Sequence, residues 1–198
     1  MKLILLLTLF VLTLLFYNIF SNQTTEISKE KISVPKPAVK KPLKSFTSSK
    51  EKKMLDSIAK HSVKIGNGTQ KSVYIFVDPL CKFSRKLITN IIDNSLLQKE
   101  NTYYILLHRL KKYDSDKLMA YILETDDKLS NLEEVMVYGE PFELDDFNPN
   151  PNTLKALKEI AQVGDSLDMK LRPYIISFEK GSKYCMVSEG EASCIEDF

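Results

Sequence analysis

The sequence has few of the residues from which metal centres are built. It contains two histidines and three cysteines, too few to favour a dedicated zinc site, which takes about four such ligands. It has no phosphate-binding glycine loop and no internal repeat. A formal net charge of +2 gives no basis for nucleic-acid binding. We therefore expect no metal, no cofactor and no nucleic-acid partner.

A long apolar segment opens the sequence. Leu3–Phe20 is interrupted only by Thr8, Thr13, Tyr17 and Asn18. As a helix it would be roughly 27 Å long, close to the thickness of a bilayer core. This length favours an uncleaved membrane anchor that occupies residues 1–21. The alternative is a cleaved signal peptide with Ser21 as the cleavage point. In both cases we expect the rest of the chain to be exported.

Residues 22–48 are rich in lysine and proline and poor in apolar side chains. Such a composition predicts an extended, solvated linker, although its lysines could also contact anionic lipid. The folded domain is expected to occupy residues 49–198.

The strongest pattern in that domain is Ser72–Leu87. Val73–Val77 is a short apolar run that predicts a buried strand. Asp78-Pro79 ends the strand, and a helical pattern begins at Cys81. We expect Cys81 at a surface helix terminus, where free N–H groups and the helix dipole favour a thiolate. The alternative is a buried structural cysteine.

The rest of the domain alternates helical and strand patterns, which predicts an α/β layout with helices on both faces of a mixed sheet. Val163-Gly164 is a point where the last predicted helix could be interrupted. The predicted elements are a helix around Met54–Ala59, a strand at Thr102–His108, helices at Lys117–Glu124, Leu129–Val137 and Leu154–Leu167, and a β-hairpin of Pro173–Phe178 and Lys183–Ser188.

Two motifs carry a resemblance to the thioredoxin fold. Phe76–Ser84, FVDPLCKFS, resembles the strand-to-active-site segment of the bacterial periplasmic disulfide isomerases DsbC and DsbG, with their F-x-D-P/I-x-C-x-x-C pattern. Leu171–Ile176, LRPYII, stands where that family has its cis-proline, here Pro173. The resemblance covers about Lys64–Ser188. It implies a thioredoxin-like domain with a helical insertion, on the periplasmic side of the inner membrane.

This sequence departs from that family at four points, which limit the functional properties that the resemblance implies for it. Ser84 replaces the second cysteine, and Arg172 precedes the proline where the isomerases have threonine. The N-terminal dimerisation domain is missing, and Ile75 stands where thioredoxin has a buried acid. Ser84 could donate a hydrogen bond to the Cys81 thiolate but cannot resolve a mixed disulfide. Net oxidation by a dithiol cycle within one chain is therefore excluded.

The resemblance implies that Cys81, Ser84 and Pro173 form the catalytic site. Lys82 and Arg172 would add positive charge beside the sulfur. The alternative for Lys82 is a solvated surface lysine, and for Arg172 a pairing with a surface carboxylate.

Cys185 and Cys194 need a separate interpretation. In an exported domain the expected state is a structural disulfide between them. The alternatives are two free thiols, or one of the two serving as a distant resolving partner for Cys81. His61 and His108 have no partner at metal-ligand spacing and are expected to be solvent or core histidines.

These features favour an exported, membrane-tethered thiol–disulfide exchange protein of the isomerase or client-holding type, acting through Cys81. Its expected partners are cysteine-containing exported clients and a membrane redox partner. The alternative is a non-catalytic thioredoxin-fold scaffold or chaperone module of an envelope assembly.

A third interpretation rests on Pro79–Ser84, PLCKFS, which resembles the P-x-C-G-F-S motif of monothiol glutaredoxins. Lys82 in place of glycine, the long insertion and the export segment argue against it.

Overall fold

The computed structural model describes residues 48–139, 142–182 and 185–190. Every described residue belongs to one compact unit, Pro42–Phe198. In these ranges, no helix is both long enough and apolar enough to cross a bilayer. The predicted anchor, residues 1–21, lies outside the described residues, as does the predicted linker up to residue 47.

The described part of the chain alternates helices and strands, as the sequence pattern predicts. The helices are α1 Ser48–Ala59, α2 Lys82–Asp93, α3 Ser95–Glu100, α4 Asp116–Glu124, α5 Lys128–Glu133 and α6 Pro151–Ser166, with a short π-helix, Glu134–Tyr138, continuing α5. The strands are β1 Val63–Ile65, β2 Lys71–Val77, β3 Asn101–Leu107, β4 Tyr174–Glu179 and β5 Cys185–Glu189.

The five strands form one mixed sheet in the order β1-β3-β2-β4-β5. The central strand, β2, is parallel to β3 and antiparallel to β4. Residues Val73–Val77 of β2 are all buried, because elements cover both faces of the sheet at this position. A strand buried on both faces reads as a continuous apolar run rather than as an alternating one.

The sheet brings three chain segments to one edge. β2 and β3 end together, since Val77 pairs with Leu107. β4 runs in the opposite direction and begins at this same edge, where Tyr174 pairs with Phe76. The segments that follow β2 and β3 and the segment that precedes β4 therefore meet there.

Two elements were not expected from the sequence. β1 has three residues, too few for a periodic pattern. α3 buries none of its residues and so lacks an amphipathic signature. Its first turn is held by Asn94, whose side chain accepts hydrogen bonds from the N–H groups of Leu96 and Leu97 at 3.1 and 3.2 Å.

The expected interruption at Val163-Gly164 is wrong, because α6 runs unbroken from Pro151 to Ser166. Gly164 is buried in this helix. A Cβ at this position would lie 2.3 Å from Cδ2 of His108. The glycine therefore makes room for a packed side chain and does not end the helix.

Candidate active site around Cys81

Cys81 is the N-cap of α2 and has an extended backbone, with φ −82° and ψ 117°. Its N–H donates to the carbonyl of Asp78 at 3.0 Å, which closes a tight turn after β2. Its thiol donates to the carbonyl oxygen of Arg172 at 3.5 Å. The Arg172–Pro173 peptide bond is cis. The structure thus brings Cys81, Arg172 and Pro173 together from positions 91 and 92 residues apart.

The expectation that Cys81 lies on the surface is wrong, since only 4% of the residue is exposed. The turn after β2 and the segment before β4 cover it from two sides. Three apolar side chains neighbouring this contact along the chain are exposed: Leu80 by 38%, Phe83 by 45% and Leu171 by 55%. We call these three residues the apolar rim.

Ser84 lies one turn into α2 and is fully buried. Its Oγ accepts a hydrogen bond from the backbone N–H of Asp78 at 3.4 Å. Among the described residues, no hydrogen bond joins Ser84 Oγ to the sulfur of Cys81. The hydroxyl therefore supports the turn that presents Cys81. The hydrogen bond from Ser84 to Cys81 that the sequence suggested is not present among the described residues.

The carboxylate of Asp78 ties this turn to the chain after β3. It is fully buried. One oxygen accepts from the N–H of Leu80 at 2.8 Å. The other accepts from the N–H of Leu110 at 2.6 Å and from the hydroxyl of Ser115 at 3.1 Å. Two segments that flank Cys81 are thereby fixed to each other.

Sequence reasoning missed this role, because it treated Asp78 only as a strand terminator. The available signal was the Asx turn, in which an aspartate side chain bonds to the backbone N–H two residues ahead. That signal predicts the Leu80 bond but not the bonds to Leu110 and Ser115.

The side chain of Arg172 turns inward, and only 3% of the residue is exposed. Its guanidinium donates to the carbonyls of His108 and Leu171 at 3.3 and 2.7 Å and to Nδ1 of His108. Burial lowers the pKa of Arg172, against the attraction of Glu189 and Asp78. Within the described residues Arg172 forms no ion pair, so it is a buried cation held by neutral acceptors.

His108 directly follows β3 and is buried between Arg172 and α6. A guanidinium can only donate hydrogen bonds, so Nδ1 of His108 is the acceptor and the ring proton lies on Nε2. Burial first, and the charge of Arg172 second, lower the pKa of His108 to about 4. Among the described residues, Nε2 has no hydrogen-bond partner, although Asp165 Oδ1 lies 3.5 Å away. His108 is therefore neutral at neutral pH and serves Arg172 as an acceptor.

Lys82 is the first residue of α2. Lys82 is exposed, and its Nζ lies 5.0 Å from the ring centroid of Phe83. The first turn of α2 contains no acidic residue. Lys82 is thus an exposed cation that follows Cys81 directly in the sequence, whereas the guanidinium of Arg172 is buried against His108.

Cys185 lies apart from this site, at the start of β5, where it pairs with Phe178. Cys185 is buried, as is Cys81, and burial raises the pKa of the Cys185 thiol. Cys194 lies outside the described residues. The disulfide predicted between Cys185 and Cys194 therefore stays a prediction.

No protein-family model matches the chain, and no curated protein matches it. Solved structures do match. The chain is similar to Proteus mirabilis ScsC in a compact conformation, with 14% identity and a TM-score of 0.57 over 77% of each chain. It is also similar to a disulfide interchange protein from Neisseria gonorrhoeae, with 15% identity and a TM-score of 0.51 over 70% of this chain and 96% of that one.

A third similar structure is BcfH of Salmonella enterica Typhimurium, with 13% identity and a TM-score of 0.53 over 74% of this chain and 75% of that one. At these identities the likeness is one of fold. Together with the strand order, it confirms the expected α/β, thioredoxin-like fold.

Proposed function

We propose that this chain is an exported, membrane-tethered thiol–disulfide exchange protein that acts through Cys81. One observation carries the proposal. The Cys81 sulfur lies at a helix N-terminus and 3.5 Å from the carbonyl that precedes a cis-proline. The disulfide interchange protein among the similar structures supports the same class of chemistry.

The chemistry begins with a thiolate at Cys81 attacking a client disulfide, which forms a mixed disulfide and releases one client thiolate. Ser84 has no sulfur and cannot resolve this adduct. A second client thiol can displace Cys81, which is isomerisation, or the client is held. Pro173 and the Arg172 backbone form one wall of the site, Ser84 supports the turn, and Lys82 and Arg172 are the cationic residues next to Cys81 and Pro173 in the sequence.

The proposed location follows from the apolar segment of residues 1–21 and the linker of residues 22–48. They would hold the domain at the periplasmic side of the inner membrane, where cysteine-containing exported proteins are its clients and a membrane protein supplies redox equivalents. Sedimentation with membranes tests the tether. Removal of residues 1–21 should release the protein, and unchanged sedimentation would refute the anchor.

An activated peptide disulfide that releases a coloured thiol tests the chemistry of Cys81. The native protein should show a fast phase of release, and Cys81→Ser should lose it. Cys185→Ser is the matched control and should keep the fast phase, because the Cys185 thiol is buried and its pKa is raised. Equal release by native protein and Cys81→Ser would contradict the proposal.

The 4% exposure of Cys81 favours a second candidate, a non-catalytic thioredoxin-fold scaffold or chaperone module of an envelope assembly. This function predicts no fast thiol release from the native protein. It also predicts that Cys81→Ser binds its partners as well as the native protein does.

A further inference from the structure

We propose that His108 is a positioning residue for the reaction at Cys81. Through the buried side chain of Arg172, it fixes the carbonyl and the proline that form the wall beside the sulfur. The inference rests on the proposed function, because it concerns the formation of the mixed disulfide at Cys81. It gives a role in that reaction to a side chain that does not touch the sulfur.

The first step is the anchoring of His108. Its backbone N–H donates to the carbonyl of Val77 at 2.8 Å, so His108 is bonded to the last residue of β2, the strand that leads to Cys81. Its ring lies at 82° to the ring of Phe76 in the same strand, with 6.1 Å between the centroids. Gly164 of α6 also lies against the ring, since a Cβ at this glycine would be 2.3 Å from Cδ2 of His108. The ring is therefore held by contacts with both β2 and α6.

The second step is the link from His108 to Arg172. The guanidinium donates to Nδ1 of the ring and to the carbonyl of His108 at 3.3 Å. Its bond to the carbonyl of Leu171 at 2.7 Å lies within the segment before β4. Arg172 is 3% exposed, and a buried charge without acceptors is costly. His108 therefore supplies the bonds that tie this side chain, and the segment that carries it, to the end of β3.

The third step leads from Arg172 to the sulfur. The carbonyl of Arg172 accepts a hydrogen bond from the Cys81 thiol at 3.5 Å, and Pro173 follows directly. Cys81 is 4% exposed, and this segment is one of the two that cover it. The guanidinium and the carbonyl belong to one residue, so a change in the bonds of the guanidinium moves the atoms that cover the sulfur.

Loosening this wall should have opposite effects on two reactions of the thiol. A small alkylating agent needs only access to the sulfur, so its reaction with Cys81 should become faster. A peptide disulfide must also pack against the apolar rim, of which Leu171 belongs to the same segment as Arg172, and must be aligned with the sulfur. A misplacement of about 1 Å can cost about a hundredfold in rate. We therefore expect the mixed disulfide to form more slowly when this segment is no longer fixed.

The test compares two side chains of similar size at position 108 in the reduced full chain. His108→Asn keeps an oxygen acceptor for the guanidinium, whereas His108→Leu has none. Alkylation by iodoacetamide and adduct formation with an activated peptide disulfide are both measured at Cys81 by mass spectrometry.

The two substitutions should give different results. His108→Leu should be alkylated at least about fivefold faster than native protein, because an unsatisfied buried donor shifts a local equilibrium by at least that factor. It should form the peptide adduct at least about tenfold more slowly, because the reacting sulfurs are no longer aligned. His108→Asn should stay within about twofold of native in both reactions, because the acceptor is retained.

Two further variants separate positioning from a loss of stability. Leu132→Ala removes a buried side chain from α5, which packs against β1. It should destabilise the fold without changing the two rates in opposite directions. Arg172→Met removes the guanidinium but keeps the carbonyl, and it should reproduce both effects of His108→Leu. In the Arg172→Met background, His108→Leu should change neither rate further, because it acts through the guanidinium. Arg172→Met also carries the test if His108→Leu does not fold.

Three results would overturn the inference while leaving the proposed function intact. They are native rates in both His108→Leu and Arg172→Met, equal effects of His108→Asn and His108→Leu, and peptide adducts that form faster in His108→Leu than in native protein. If native protein forms no peptide adduct at Cys81 although iodoacetamide reaches the sulfur, the proposed function itself is wrong and the inference falls with it.

Discussion

Replacing Asp78 by asparagine should loosen the turn that presents Cys81, because the two side chains have the same shape but different hydrogen-bonding groups. The native carboxylate accepts three hydrogen bonds, one on Oδ1 from Leu80 and two on Oδ2 from Leu110 and Ser115. An amide keeps one of these oxygens and replaces the other with an NH₂ donor. At least one backbone N–H then faces another donor inside the protein.

The magnitude follows from the number and kind of bonds. A hydrogen bond to a charged group contributes about 1.5–3 kcal/mol, and a buried donor left unsatisfied costs about 1–3 kcal/mol. We expect Asp78→Asn to lower the free energy of unfolding by about 2–4 kcal/mol. For a chain of this size that is a fall in melting temperature of roughly 5–15 °C. Removing the negative charge also takes away one of the attractions that raise the pKa of buried Arg172.

Thermal and urea unfolding of three variants test this reasoning. Ser115→Ala removes one of the three bonds and should cost about 1–2 kcal/mol. Asp114→Asn changes an exposed carboxylate and should stay within about 0.5 kcal/mol of native. Thiol release from the activated peptide disulfide should slow in Asp78→Asn, since the Leu80 bond shapes the turn before Cys81. Unfolding of Asp78→Asn within about 0.5 kcal/mol of native would refute the role assigned to this carboxylate.

Two further changes test the packing around His108. The unfolded histidine binds a proton near pH 6.5 and the folded one near 4. Stability should therefore fall by up to about 3 kcal/mol as pH drops through that interval. His108→Asn keeps an acceptor for Arg172 but should lose this pH dependence, whereas the control His61→Gln should retain it; unchanged curves for His108→Asn would contradict a neutral buried ring. Gly164→Ala should cost about 1–3 kcal/mol, because its Cβ would lie 2.3 Å from the ring and 2.8 Å from Cε of Met169. The cost should shrink in a His108→Ala background, and an equal cost there would show that the ring is not the obstacle.

Local sequence patterns were sufficient for the elements that frame the site. The apolar run Val73–Val77 predicts a doubly buried strand, and Asp78-Pro79 marks its end. The helical pattern after Cys81 predicts α2, so the strand–turn–helix unit that carries the thiol could be derived from adjacent residues. Each of these signals extends over a few residues, which is the range over which periodicity carries information.

The contacts that build the site around the thiol could not be derived in this way. Asp78 reaches Leu110 and Ser115 across 32 and 37 residues, and Arg172 reaches His108 across 64. These pairs meet only because β2 and β3 end at the edge where β4 begins. The strand order decides this, and no local pattern encodes it. The burial of Cys81 has the same origin, since the covering segment precedes β4.

The structure also indicates what a cysteine at position 84 would change. The disulfide isomerases that the motif resembles have a cysteine at the position of Ser84. Here the Ser84 hydroxyl is fully buried and accepts a hydrogen bond from the N–H of Asp78 at 3.4 Å. A thiol is a weaker acceptor than a hydroxyl, so a cysteine at this position would weaken the support of the turn. Ser84 therefore has a structural role, which is to support the turn that presents Cys81. A cysteine at position 84 would therefore supply a second thiol only by weakening the turn that presents Cys81.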